Sequence, residues 1–185
     1  GAAFFSELPG VAPSFASPDV CPAVAAGHAL REWRALVPAD GALWRTQDEV
    51  HGLEDWAATI CRYQPEAAEA FDAALVRVAE AFAALPEIVA QACHRDFHEG
   101  QILLANGACG FIDFDTWCAA DPALDIGNLA AHIQLWELRN GASAEAFERR
   151  FRECASVDFG EGFGKRITAW KRAALLRLTA IYAFT

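Results

Sequence analysis

Asn106-Gly107 stands between two short apolar runs, Ile102-Leu103-Leu104 and Gly110-Phe111-Ile112. That dipeptide constrains the fold more than any other feature of the chain. Asn and Gly both tolerate positive φ, as a two-residue hairpin turn requires, so the pair predicts a tight β-hairpin. A hairpin carries its second arm back along its first. Asp113, flanked by Phe111, Ile112 and Phe114, is thereby returned towards the loop holding Asp96 and Gln101. A carboxylate in such apolar company is costly to bury unless it is paired or holds a cation.

On either side of the hairpin the periodicity is helical. Leu30, Trp33 and Val37 fall near one face of a first helix. Thr46-Gln47-Asp48-Glu49 has the form of a capping box, with Thr46 and Glu49 satisfying each other's backbone amides. It opens a helix whose Val50, Leu53, Trp56 and Ile60 share a face. Pro65 suits the first turn of the next helix, which carries the stripe Phe71, Leu75, Val78 and Phe82. Ile88-Val89-Ala90 reads as a short strand leading to Cys93. Beyond the hairpin, Asp121-Pro122 opens a helix to about Arg139, with Gly141 as its stop. Ser143 caps a helix bearing Phe147 and Phe151, and 165–184 is amphipathic through Ile167, Trp170, Ala174, Leu178 and Ile181. The expected fold is mainly α with a small β-hairpin.

Composition narrows the functional classes. At 185 residues and 54% hydrophobic the chain suits one sizeable core. A net charge of −10 argues against nucleic acid or an anionic membrane as the main partner. Residues 8–30 carry one formal charge, Asp19, but Pro9, Pro13, Pro18 and Pro22 interrupt them, so neither a signal peptide nor a membrane span is expected. Six scattered cysteines without a C-x-x-C pair predict reduced thiols in a cytoplasmic protein. The sequence begins Gly1-Ala2-Ala3 and contains no methionine, which predicts a piece of a longer chain.

The chemistry is concentrated in 94–125, where His94, Asp96, His98, Glu99, Asp113, Asp115, Asp121 and Asp125 lie. Asp96 and Asp113 brought together supply one carboxylate to orient or deprotonate a hydroxyl and another to hold a divalent ion. Mg²⁺ favours such oxygen ligands together with phosphate oxygens. Three blocks then carry a resemblance: His94-Arg95-Asp96-Phe97-His98-Glu99-Gly100-Gln101, Phe111-Ile112-Asp113-Phe114-Asp115, and Asp121-Pro122-Ala123-Leu124-Asp125-Ile126-Gly127. In order and spacing they resemble the aminoglycoside phosphotransferase and choline-kinase-like family, over about 93–129.

The resemblance implies the C-terminal lobe of a protein-kinase-like fold, whose N-terminal β-rich lobe is absent from this sequence. It implies transfer of the γ-phosphoryl of ATP or GTP to a small-molecule hydroxyl, with Mg²⁺ as cofactor and an aminoglycoside or amino alcohol among the acceptors. Asp96 matches the family's catalytic Asp, and Asp113 its metal-binding acid. Gln101 stands where the family usually has a metal-binding Asn. Asp125 and His94 match residues that brace the loop, and Asp115 and His98 are candidates for a second metal or for substrate. Arg95 replaces what is more often a small residue. Residues 5–10 look like the family's hinge. The expected organisation is a hinge-like extended lead-in over 1–20, then a helical lobe over 21–185 with a catalytic loop at 94–101 and a metal-binding hairpin at 102–115.

Two other functions fit the same residues. His94, Asp96, His98 and Asp113 have spacing suited to a metal-dependent hydrolase, and Gln101 would suit a non-catalytic, kinase-like binding module. His28, His51 and His132 show no partner in the sequence and read as structural, and Asp121 reads as a helix cap. Gly160-Glu161-Gly162-Phe163-Gly164 lacks a preceding apolar strand and reads as a flexible turn rather than a phosphate loop.

Overall fold

A computed structural model describes residues 10–184 of the chain. The hinge-like segment at 5–10 lies, except for Gly10, outside the described residues. Six helices dominate: α1 Cys21–Leu36, α2 Thr46–Tyr63, α3 Pro65–Ala83, α4 Ala123–Asn140, α5 Glu145–Ala155 and α6 Phe163–Tyr182. Strands β1 Leu43–Trp44, β2 Gln91–Cys93, β3 Ile102–Ala105, β4 Ala108–Phe111 and β5 Cys118–Ala120 complete the fold, with one 3-10 turn at Glu99–Gln101. None of the helices among the described residues is long and apolar enough to cross a membrane.

The hairpin forms as its turn demands. β3 and β4 pair antiparallel from Ile102↔Phe111 to Ala105↔Ala108, with Asn106 at φ 51° and Gly107 at φ 79°. Val11 adds an antiparallel bridge to Leu104 on the other edge. A second sheet, which the sequence does not announce, has the order β1-β5-β2, with β1 parallel and β2 antiparallel to β5. β2 begins immediately after Ile88-Val89-Ala90 rather than within it, and Val89 is exposed. Strands this short and alanine-rich show no legible alternation.

Helix ends follow local chemistry. α3 is built from strong helix formers, begins at Pro65, and buries Phe71, Val78 and Phe82. α4 stops at Gly141, whose left-handed φ of 61° lets its N–H reach the carbonyl of Glu137. The start of α2 corrects the expected capping box. Arg45 is the N-cap, and its backbone N–H donates to Asp48 Oδ2 at 2.7 Å. Glu49 turns inward instead, accepting from Trp44 Nε1 at 3.1 Å and pairing with Arg177 of α6. The partly buried Arg177 draws the acid away from the helix end and leaves Asp48 to cap it.

α4 packs along α6, and α1 along α5, through close backbone approach. A Cβ on Gly127 would lie 2.6 Å from Trp170 Cβ, and one on Gly27 would lie 2.7 Å from Cys154 Cβ. Buried Arg34 donates to the carbonyls of Leu30, Pro122 and Ala155, joining α1 to the start of α4 and the end of α5. Asp121 both caps, accepting from Ala123 N at 2.9 Å, and pairs with buried Arg166 at 2.8 Å. All six cysteines are free thiols. The glycine-rich 160–164 segment is the turn into α6, with Gly162 at φ 93°.

Candidate active site

The segment after β2 is clamped from two sides. Fully buried Asp125, in the first turn of α4, accepts from the backbone N–H of His94 at 3.0 Å and of Arg95 at 2.8 Å. Burial raises its pKa, opposed by those two hydrogen bonds and by the charge of Arg34. One turn on, Asn128 Nδ2 donates to the carbonyl of Phe97 at 3.1 Å. From the hairpin side, His94 Nε2 bonds the Ile112 carbonyl at 2.7 Å, and Thr116 Oγ1 donates to the His94 carbonyl at 3.0 Å. A carbonyl only accepts, so Nε2 carries the proton, and Nδ1 is buried without a partner. Phe97 anchors the loop from below, fully buried against Phe111 and Phe151.

Between these anchors Asp96 is exposed. Arg95 beside it has φ 73°, a conformation costly for a side chain with a Cβ. The hairpin returns Asp113 as expected, but not from within a strand arm. It lies two residues beyond β4, exposed, with φ 63°. Its Oδ2 accepts from buried Gln101 Nε2 at 3.2 Å, and Ile112 N donates to the Gln101 carbonyl at 3.1 Å. Asp115, two residues on, is exposed.

His98 lies between the two groups. Its Nδ1 accepts from Gly100 N at 3.1 Å, while Nε2 is 3.3 Å from Gln101 Nε2 and 3.9 Å from Asp96 Oδ2. His94 does not join Asp96, His98 and Asp113 as a group of ligand atoms within reach of one ion; its ring is buried, with Nε2 bonded to the Ile112 carbonyl. His98 instead stacks on His132 of α4, with centroids 4.8 Å apart and planes 17° apart. The partnerless reading of His132 is thus corrected. Asp125, Asn128 and His132 follow an i, i+3, i+7 spacing on α4, a signal that would have placed all three against the loop.

A cavity of about 260 Å³ opens beside Asp96, lined by Trp44, Glu49, Trp56, Arg95 and Thr116. The Arg95 guanidinium lies 3.6 Å from the centre of the Trp44 ring. In sequence Glu49 reads as a capping residue and Trp56 as core, Trp44 carries no signal, and no local spacing marks the three as a wall. Arg177 reaches the same cavity from α6. Its guanidinium bonds Glu49 and, at 2.6 Å, Asn128 Oδ1, so the cavity wall and the loop share one network.

The donor set suits a hard cation. Asp113 offers carboxylate oxygens, and Gln101 lies within hydrogen-bonding distance of it. Turning the amide over would present its oxygen where its nitrogen now faces the acid.

A sequence model of the phosphotransferase enzyme family matches residues 1–162, and the chain belongs to that family. A search of curated proteins returns no match. Among solved structures, the chain is similar to two described as glucosamine kinase. Crystal form A matches at 22% identity and TM-score 0.60, over 89% of this chain and 49% of that one. Crystal form B matches at 21% identity and TM-score 0.53, over 88% and 48%. The chain therefore spans about half the length of these structures and shares their kinase-like fold over that half.

Proposed function

We propose that this chain is the catalytic-loop lobe of a small-molecule kinase, moving the γ-phosphoryl of ATP or GTP to an acceptor hydroxyl. One observation carries the reading: Gln101 and Asp113, twelve residues apart, meet beside exposed Asp96 on a loop held by Asp125. Phosphoryl transfer asks a protein chiefly for positioning and charge neutralisation, and these residues supply both. Asp96 orients the acceptor hydroxyl and takes its proton. Gln101 and Asp113 hold Mg²⁺, which supplies charge neutralisation at the phosphates. Asp125 and His94 keep Asp96 in place without touching the reacting atoms. Asp115, exposed two residues past Asp113, is available to a second ion or to substrate.

The acceptor enters the cavity beside Asp96. At about 260 Å³ it falls below the roughly 300–1,000 Å³ of drug-sized pockets, which favours a single-ring molecule. The solved neighbours are described as glucosamine kinases, so glucosamine is the first acceptor to assay. In the protein carrying this chain, Asp113→Asn should leave the fold intact, because Asn also accepts a left-handed φ. It should abolish transfer at low Mg²⁺, with partial recovery as Mg²⁺ is raised. Transfer with an unchanged Mg²⁺ response would refute the assignment of the metal ligand.

A further inference from the structure

His98, Glu99 and His132 form a cluster that the phosphotransfer reading does not use as a unit. One ligand atom from each lies within 4.8 Å of the others. Glu99 Oε2 is 3.9 Å from His98 Nδ1 and 4.0 Å from His132 Nδ1. That oxygen is buried and has no hydrogen-bond partner. The Glu99 oxygen is thus a buried acceptor without a donor, set between two imidazole nitrogens, and a cation bound by all three would satisfy it.

We propose that His98, Glu99 and His132 form a second metal site, separate from Gln101 and Asp113, that takes a borderline transition-metal ion such as Zn²⁺. Two imidazoles and a carboxylate are ligands zinc accepts, with water completing the tetrahedron. The softer nitrogen donors distinguish this site from the all-oxygen pair that suits Mg²⁺. Both rings must bind as neutral imidazole, and burial with the neighbouring His98 pushes the pKa of His132 down to about 4. A tetrahedral zinc ion needs its donors about 3.4 Å apart, so the three side chains must close by up to about 1.4 Å. His98 Nδ1 must also release the Gly100 N–H, which is exposed and free to bond water. Occupancy would join the 3-10 turn to α4 directly behind Asp96. The site stands whether or not the chain transfers phosphate.

The test is calorimetric titration of the chain with ZnCl₂ in excess MgCl₂. One equivalent should bind, and His132→Ala and Glu99→Gln should each weaken it by about tenfold or more. Retained affinity in either folded variant overturns the site and points to the thiols instead. If a variant unfolds, imidazole ¹⁵N resonances of the wild-type chain decide the matter. Zn²⁺ should move those of two of the five histidines, saturating at one equivalent. Movement of none, or of His28 and His51, contradicts the proposal.

Discussion

Arg95 and Asp113 both adopt left-handed φ while carrying a side chain. Each follows a residue fixed by the clamp, His94 or Ile112, and each turns the chain so that a carboxylate faces outward. At Arg95 the Trp44 contact offsets part of the strain, since a close cation–π pair contributes about 0.5–1 kcal/mol or more. Thermal denaturation should therefore find Arg95→Gly more stable than Arg95→Ala by about 1 kcal/mol, because only glycine relieves the backbone. Asp125 is the stronger constraint. Asp125→Ala strands the buried N–H of His94 and the partly buried N–H of Arg95, and should destabilise the chain by about 3 kcal/mol in urea unfolding. The residue types at 94–101 and 113 are readable in sequence because chemistry dictates them. The pairing of His98 with His132 is less so: the spacing on α4 turns His132, in the helix's third turn, towards the loop, but no local signal says which loop residue it meets.

At the scale of elements, the helices bring the loop, the hairpin and the cavity wall together. The α4–α6 crossing depends on the missing side chain at Gly127, where an added Cβ would press on Trp170 and on the backbone of Lys171. Gly127→Ala should lower stability by about 1–3 kcal/mol as an overpacking change, and it should loosen Asp125 and Asn128, which flank it. Long helices were legible because each shows several turns of one apolar stripe, as Phe71, Val78 and Phe82 do. The sheet of β1, β5 and β2 was not, because two or three residues such as Cys118-Ala119-Ala120 contain no period. The capping box failed for a related reason: Thr46 and Glu49 had the right spacing, but Arg177 lies 128 residues further on.

The whole molecule adds a dependence on pH. His132 is neutral in the fold, its pKa pushed to about 4 by burial, whereas in the unfolded chain it titrates near 6.5. Its stabilising contribution is complete above about pH 6.5, falls as the unfolded state takes up the proton, and is gone below about pH 4. The loss is at most about 3 kcal/mol from this group. Unfolding followed from pH 7 to pH 4 in the presence of a chelator should show a shallower decline for His132→Asn than for the wild type. The family was legible from about 93–129, where order and spacing of the three blocks carry it. The cavity was not, because its walls come from α2, the loop and α6, which only the tertiary fold assembles.

The central claim is that Asp96 serves acceptor hydroxyls on a prebuilt loop. Transfer of labelled γ-phosphoryl from ATP or GTP to glucosamine and related single-ring acceptors, by the protein carrying this chain, tests it most directly. Asp96→Asn should lower the rate by about 10²–10⁴-fold while leaving the thermal transition unchanged. Undiminished transfer by that variant would contradict the account.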